Sequence, residues 1–126
     1  MTVSLGGPAA RVLVVDDNAE VVDLLVMLLE MDGVPVQGTS RPADALALAC
    51  ACRPDVVLTD LHMPDISGAE LSAQLRAALP GVQVWAATGL SPEAMATWLE
   101  AGVFERVFHK PMDVEHIVQA LRQRAR

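Results

Sequence analysis

Five short apolar runs, rich in β-branched residues, recur along the chain at residues 12–15, 34–36, 56–58, 82–86 and 106–108. Longer stretches of mixed composition separate them. Three of the five runs are almost continuously apolar rather than alternating, which is typical of strands whose two faces are both covered. The pattern therefore predicts five parallel β-strands in a fold that places other elements on both sides of the sheet.

Helix signals occupy the intervals after the strands. Asn18 is a favourable N-cap for a helix that extends to about Met31, and Gly33 follows as its stop signal. The later helices are predicted to begin at Ser40 or Arg41 with Pro42, at Ser67 or Gly68, at Ser91 with Pro92 and Glu93, and at Asp113. Strands that alternate with helices through short connections indicate an α/β fold, a doubly wound (βα)5 domain with a five-stranded parallel sheet.

Polar groups follow four of the five predicted strands, at the sheet edge where ligands bind in such folds. They are Asp16 and Asp17 after the first strand, Asp60 after the third, Thr88 and Gly89 after the fourth, and Lys110 and Pro111 after the fifth. Singly, each is also typical of a helix cap, a turn or a solvated charge. Together, the three carboxylates would form an oxygen-lined site suited to Mg²⁺ rather than zinc. Carboxylate, divalent cation, lysine and hydroxyl are the groups that phosphoryl transfer to a carboxylate requires.

Composition limits the classes of partner. With 126 residues and 13.4 kDa the chain is the size of one domain, without room for a separate catalytic or DNA-binding domain. Its net charge of −7 argues against direct binding to nucleic acid or to a membrane. Residues 1–10 contain no Lys or Arg and are expected to be a flexible lead-in rather than a signal peptide. Cys50 and Cys52 face apart on a helix, which indicates buried or half-buried free thiols and a cytoplasmic location.

Several motifs occur in one order and at one spacing along the chain. They are Val14-Val15-Asp16-Asp17-Asn18, Leu58-Thr59-Asp60-Leu61-His62-Met63-Pro64 with Gly68, Thr88-Gly89, Ala101-Gly102 and Lys110-Pro111. In these motifs the chain resembles the CheY-like receiver domain of two-component response regulators, over roughly residues 10–125. The resemblance implies a receiver domain over residues 11–126 with the flavodoxin-like strand order 2-1-3-4-5.

The resemblance also implies a reaction. Asp60 would be the nucleophile that accepts a phosphoryl group from a phosphohistidine of a sensor kinase or a phosphotransfer protein. Mg²⁺ would bind directly to Asp17, to Asp60 and to the backbone carbonyl of His62, with Asp16 acting through a water molecule. A domain of this kind catalyses its own phosphorylation and dephosphorylation and has no external substrate.

The remaining strand-end residues would surround the phosphoryl group in the same resemblance. Thr88 would hydrogen-bond the aspartyl phosphate, and Lys110 would pair with one of its oxygens. Gly89, which has no side chain, would leave room for the phosphodonor. The bond before Pro111 resembles the family's cis peptide, which would direct the lysine inward.

Two positions concern switching and kinetics. Receivers commonly carry Tyr or Phe three residues before the lysine, whereas this chain has Val107 there, and Phe108 beside it should face the other side of the strand. The threonine–aromatic switch is therefore incomplete. His62 lies two residues after Asp60, where family members tune phosphate hydrolysis. We predict that His62 affects phosphoryl lifetime, and the alternative is an exposed side chain with no kinetic role.

The first predicted helix is more apolar than packing on one sheet face requires. A helical wheel places Val21, Leu24, Leu25, Leu28 and Leu29 on the face toward the core. Val22, Val26 and Met27 lie beside this stripe, and the resemblance implies that the outer face of this helix contacts the histidine-bearing helical bundle of a kinase. We predict that these three residues form part of a docking surface; the alternative is wider burial in the core.

Other functions fit the pattern less well. A Mg²⁺-dependent phosphatase acting through an aspartyl phosphate lacks its Asp-x-Asp pattern, and a nucleotide binder lacks a glycine-rich phosphate loop. A receiver-shaped docking module that is never phosphorylated is disfavoured because Asp60, Thr88 and Lys110 are retained. Both a stand-alone regulator and a receiver from a larger protein fit, and Asn18 with the apolar first helix favours the hybrid histidine kinase type. A homodimer is left open.

Overall fold

A five-stranded parallel sheet forms the centre of the molecule. The structure is a computed structural model that describes residues 10–89, 92–110 and 114–124. The strands are β1 Val12–Val15, β2 Val36–Thr39, β3 Val56–Asp60, β4 Gln83–Thr88 and β5 Arg106–His109. The helices are α1 Ala19–Met31, α2 Ala45–Cys52, α3 Gly68–Ala78, α4 Pro92–Glu100 and α5 Val114–Arg124. The strands pair in parallel in the order β2-β1-β3-β4-β5, which confirms the predicted fold class.

Side-chain caps set the starts of two helices. The Asn18 side chain accepts a hydrogen bond from the backbone N–H of Glu20 at 3.0 Å, and α1 begins at the next residue after this cap. Ser67 and Glu70 form a reciprocal capping box at the start of α3, with both bonds at 3.1 Å. The second helix differs from the prediction, because Pro42–Asp44 forms a 3-10 turn before α2 begins. The predicted start residues Ser91 and Asp113 lie outside the described residues.

The second strand begins two residues later than predicted. Gly33 adopts a φ of 80°, and the N–H of Val34 then donates to the Leu29 carbonyl at 3.0 Å. Val34 therefore belongs to the end of α1 rather than to the sheet. Pairing with β1 starts at Val36, which lies opposite Val12, and it continues through polar and small residues. The apolar run lies in the right region, but its first residue, Val34, belongs to the helix end and not to the strand.

Two layers of helices cover the sheet. The helices α1 and α5 pack on one face, where Leu25, Trp85 and Ile117 belong to one buried cluster. The helices α2, α3 and α4 cover the other face, where the second cluster includes Leu75 and Phe104. Successive residues of β1, β3 and β4 alternate between the two clusters, as expected for strands buried on both faces. Ala10, the last residue of the predicted lead-in, is itself part of the first cluster.

The orientation of α1 differs from the helical-wheel prediction. Leu24, predicted to face the core, is 51% exposed, whereas Val22, predicted to face a partner, is only 5% exposed. The cause lies in β2, where a Cβ added at Gly38 would come within 2.5 Å of Val22 Cγ1 and 2.9 Å of Val26 Cγ2. Because Gly38 has no side chain, the two valines fill the space above the strand. The prediction that Val22 docks a partner is therefore wrong.

The two cysteines lie on α2 as free thiols. Cys52 is half-buried, and burial raises the pKa of its thiol, although its hydrogen bond with the backbone and the charge of Arg11 act in the opposite direction. Cys50 is exposed, contrary to the expectation that both thiols would be at least half-buried. Ala45 and Ala49 occupy the buried side of this short helix, so Cys50 projects away from it.

Candidate functional site

Three aspartates meet at the carboxyl edge of the sheet. Asp16 and Asp17 follow β1, Asp60 ends the neighbouring strand β3, and one carboxylate oxygen from each lies within 4.8 Å of the other two. Asp16 is 3% exposed, Asp60 is half-buried and Asp17 lies at the surface. The three carboxylates therefore differ in exposure, from Asp16 in the interior to Asp17 at the surface. The convergence predicted from the strand ends is present in the structure.

Both oxygens of Asp16 are held by neighbouring groups. Its Oδ1 accepts a hydrogen bond from the backbone N–H of Asn18 at 2.9 Å, and its Oδ2 accepts one from Lys110 Nζ at 3.0 Å. Burial of a carboxylate is costly unless such partners compensate its charge. The sequence predicted Asn18 as a helix cap and as part of a motif, and it did not predict that the backbone N–H of Asn18 would bond to Asp16. Its second role was visible in the Asp-x-Asn spacing, because an Asp side chain commonly bonds the backbone N–H two residues later.

Lys110 brings a positive charge into the cluster from β5. Its Nζ lies 3.0 Å from Asp16 Oδ2 and 3.3 Å from Asp60 Oδ2, and its backbone N–H donates to the Thr88 carbonyl at 2.8 Å. Burial lowers the pKa of this ammonium, but the hydrogen bonds and charges of Asp16 and Asp60 outweigh burial and raise the pKa above its usual 10.5. Lys110 is thus a stable cation at neutral pH, and it is the only lysine in the sequence.

The other predicted site residues occupy the same edge where they are described. Thr88 ends β4 opposite His109 and is 1% exposed. Gly89 is exposed, and a Cβ added there would meet nothing within 4 Å, so the space beside it is open. His62 is exposed in the loop after β3. Pro111 lies outside the described residues.

The donor set of the cluster fits a hard divalent cation. It consists of three carboxylates that meet on one side of the sheet, and the nearby cation Lys110 pairs with Asp16 and Asp60. Oxygen ligands of this kind suit Mg²⁺, and no His or Cys joins the cluster among the residues that the structure describes. Asp17 and Asp60 face more solvent than Asp16, which leaves them better placed to contact a hydrated ion directly.

The two neighbouring residues at the switch position point to opposite faces, as predicted. Phe108 packs against the cluster under α1 and α5, with its ring centroid 5.8 Å from that of Trp85. Val107 packs against the cluster on the α4 side, where Trp98 and Phe104 lie with ring centroids 6.0 Å apart. Phe108 therefore does not substitute for an aromatic residue at position 107.

The predicted docking residues do not form one surface. Val22 is in the core and Val26 is half-buried against it, whereas Met27 is 50% exposed. The exposed large apolar side chains of α1 are instead Leu24, Met27 and Met31. These three residues follow each other at helical spacing on the outer side of α1.

Within the described ranges, none of the helices has the length and apolar character needed to span a bilayer.

Comparisons with known proteins agree with this geometry. The family model described as the response regulator receiver domain matches residues 12–122. The chain is 34% identical over 117 residues to the probable transcriptional regulatory protein TcrX of Mycobacterium tuberculosis, covering 92% of this chain and 50% of that protein. It is 33% identical over 118 residues to the sensor histidine kinase AruS of Pseudomonas aeruginosa, covering 90% of this chain and 12% of that protein. The chain thus spans about half the length or less of these relatives.

Solved structures show the same architecture. A response regulator receiver domain protein from Clostridium thermocellum superposes with a TM-score of 0.81 at 26% identity, over 90% of this chain and 92% of that one. The chemotaxis protein CheY4 of Vibrio cholerae gives a TM-score of 0.79 at 26% identity, over 92% of this chain and 98% of that one. The acidic cluster is consistent with the phosphoacceptor site of such domains. The chain belongs to the family of response regulator receiver domains.

Proposed function

We propose that Asp60 accepts a phosphoryl group from a phosphohistidine of a sensor kinase or a phosphotransfer protein, in a reaction that depends on Mg²⁺. The observation that carries this proposal is the position of Lys110 between Asp16 and Asp60, inside a cluster of three carboxylates. In the reaction a carboxylate oxygen of Asp60 forms a bond to phosphorus while the bond from phosphorus to the histidine nitrogen breaks. The histidine nitrogen keeps the electron pair of the broken bond, and the ring, protonated on its other nitrogen, leaves as neutral imidazole.

The geometry favours Asp60 over its two neighbours as the nucleophile. Both oxygens of Asp16 are engaged, and Asp16 is nearly inaccessible. Asp17 lies at the exposed edge and makes no contact with Lys110 in the described part of the chain. Asp60 pairs with Lys110 through Oδ2, whereas its Oδ1 has no hydrogen-bond partner among the described residues. A half-buried carboxylate with one unengaged oxygen is suited to attack.

The chain's own residues would stabilise the transferred group. Mg²⁺, when bound by Asp17 and Asp60 with Asp16 through water and the His62 carbonyl, would neutralise negative charge during transfer. Lys110 would turn from Asp60 Oδ2 to a phosphoryl oxygen while keeping its bond to Asp16. Thr88 would donate its hydroxyl to the phosphoryl group, and the open space at Gly89 would admit the donor. The domain would act on itself and on no external substrate.

We propose that the partner docks partly on Leu24, Met27 and Met31. These exposed apolar side chains of α1 lie on the helix that begins directly after the acidic pair, so a helical bundle placed there would bring its histidine near Asp60. A histidine kinase or a phosphotransfer protein is the common phosphodonor class for regulators and for kinase-borne receivers. We further propose a cytoplasmic location, and no direct contact with nucleic acid because of the net charge of −7.

Incubation with acetyl phosphate and Mg²⁺, followed by intact mass spectrometry, tests the proposal. The wild type should gain one phosphate, which chelation of the metal should prevent. Asp60→Asn should gain none, because an amide is not a nucleophile for this transfer, whereas Asp55→Asn, at the opposite end of β3, should behave as the wild type. A wild type that gains no metal-dependent phosphate would support the docking module that is never phosphorylated.

A further inference from the structure

The start of α3 lies in close contact with the backbone of Asp60. A Cβ added at Gly68, the first residue of α3, would lie 2.5 Å from the Asp60 carbonyl oxygen and 3.1 Å from Leu61 Cα. Both atoms belong to the main chain, so a rotating side chain could not relieve the contact. Gly68 has a helical backbone that any residue can adopt. Glycine is therefore required here for space and not for a special backbone conformation.

Hydrogen bonds fix this contact on both sides. The N–H of Gly68 donates to the Leu61 carbonyl at 2.9 Å, and the N–H of Leu61 donates to the Ala87 carbonyl at 3.3 Å. The capping box of Ser67 and Glu70 holds the first turn of α3. The loop after β3 is thus closed by a short bond between Leu61 and Gly68. The peptide that follows Asp60 has little freedom to rotate while these bonds persist.

Thr59 holds the same carbonyl oxygen from within the strand. Its Oγ1 donates to the Asp60 carbonyl at 3.0 Å, and the second acceptor within reach, Met63 Sδ, is 3.9 Å away and weaker. Thr59 is 1% exposed and lies between Val15 and Ala86 in the sheet. A valine of the same shape at this position would leave the carbonyl without this donor.

We propose that Gly68 and Thr59 are positioning residues, which fix the Asp60 peptide so that its carboxylate stays in register with Asp16, Asp17 and Lys110. This inference rests on the proposed role of Asp60 as the phosphoacceptor. Rotation of the peptide would carry the carboxylate away from Lys110 Nζ, which now lies 3.3 Å from it. A displacement of about 1 Å can slow a reaction roughly 100-fold because transfer requires alignment.

Four variants test the proposal, with Gly38→Ala as the matched control. A Cβ at Gly38 also meets an atom at 2.5 Å, but that atom belongs to the Val22 side chain. Phosphorylation by acetyl phosphate and Mg²⁺, expressed per folded molecule, should slow about 10- to 100-fold in Gly68→Ala. It should slow about 3- to 10-fold in Thr59→Val and stay within about twofold of wild type in Thr59→Ser, which keeps the hydroxyl. Gly38→Ala should stay within about twofold of wild type.

A second readout needs neither metal nor phosphate. Lys110 is the only lysine, so acetylation by acetic anhydride can be followed at the peptide that contains it by mass spectrometry. Loss of the ion pair with Asp60 should raise the labelling rate of Lys110 in Gly68→Ala and Thr59→Val, but not in Gly38→Ala. If Gly68→Ala does not fold, the contrast between Thr59→Val and Thr59→Ser carries the test.

Several results would overturn the inference. Equal rates per folded molecule in all variants would show that the Asp60 peptide needs no such support. Equal slowing in Gly68→Ala and Gly38→Ala would assign the effect to general stability, and equal slowing in both Thr59 variants would exclude the hydroxyl. If the wild type itself gains no phosphate, the proposed function fails, while the labelling of Lys110 still decides whether the two residues position Asp60.

Discussion

The orientation of α1 can be tested with two adjacent leucines of the same helix. Leu25 is 5% exposed inside the cluster that contains Trp85, whereas Leu24 is 51% exposed. Replacement of either residue by alanine removes the same atoms, and the helix propensities of Leu and Ala are similar. The pair therefore isolates burial as the variable that differs.

The expected losses of stability follow from burial. Leu→Ala removes three carbon atoms, about 2.4 kcal/mol of transfer free energy when the side chain is fully buried. A residual cavity at Leu25 should raise the loss to about 3–4 kcal/mol. Leu24→Ala loses roughly half of the transfer free energy and leaves no enclosed cavity. The expected loss of stability is therefore about 1 kcal/mol. A domain of this size has about 5–15 kcal/mol of stability, so both variants should remain folded.

Urea unfolding, followed by the fluorescence of Trp85 and Trp98 and by circular dichroism, measures the difference. With a typical slope of about 2 kcal/mol per molar urea, Leu25→Ala should lower the midpoint by about 1.5–2 M and Leu24→Ala by about 0.5 M. Equal shifts of the midpoint, or a larger shift for Leu24→Ala, would refute this orientation of α1. They would support the helical-wheel arrangement, in which both leucines face the core.

Two further predictions concern the site. The raised pKa of Lys110 contributes stability that is fully present below about 10.5 and is lost as the pH rises through the higher pKa of the folded state. The difference in free energy of unfolding between wild type and Lys110→Met, measured by urea unfolding, should therefore be smaller above about pH 11 than at pH 9. A difference that does not change with pH would contradict the ion pairs with Asp16 and Asp60. His62→Ala should slow dephosphorylation by roughly fivefold, the equivalent of one hydrogen bond of about 1 kcal/mol to the attacking water. A half-life of phospho-Asp60 equal to that of wild type would leave His62 an exposed loop residue without a kinetic role.

Much of the fold could be predicted because its signals are local. Continuous apolar runs marked β1, β3 and β4 as strands buried on both faces, and Asn18 and Ser67 marked helix starts through bonds that span only two or three residues. The end of α1 was harder to place. The residues around Gly33 contain both a helix stop signal and the start of an apolar run. Only the bond from the Val34 N–H to the Leu29 carbonyl shows that Val34 belongs to the helix end and not to β2.

The candidate site was predictable as a set of residues but not as a network. Parallel strands bring their carboxyl ends to one edge, so the sequence predicted that Asp16, Asp60 and Lys110 would meet. It did not predict that Lys110 would bridge the two carboxylates, or that a backbone N–H would hold Asp16. The bridge by Lys110 depends on how the ends of β1, β3 and β5 are staggered, and these strands are far apart in sequence. The bond to Asp16 spans only two residues, and its signal was present in the Asp-x-Asn spacing.

The sequence by itself determined the order of strands and helices along the chain, the polar residues that lie at the sheet edge and the family to which the chain belongs. Periodicity, caps and each of the motifs are carried by residues close together in the sequence. Only the tertiary structure decided which way α1 faces and why Gly68 must be glycine. In both cases the reason is close packing: Gly38 admits Val22 and Val26, and Gly68 admits the Asp60 carbonyl. Such contacts join elements whose separation along the chain gives no local pattern.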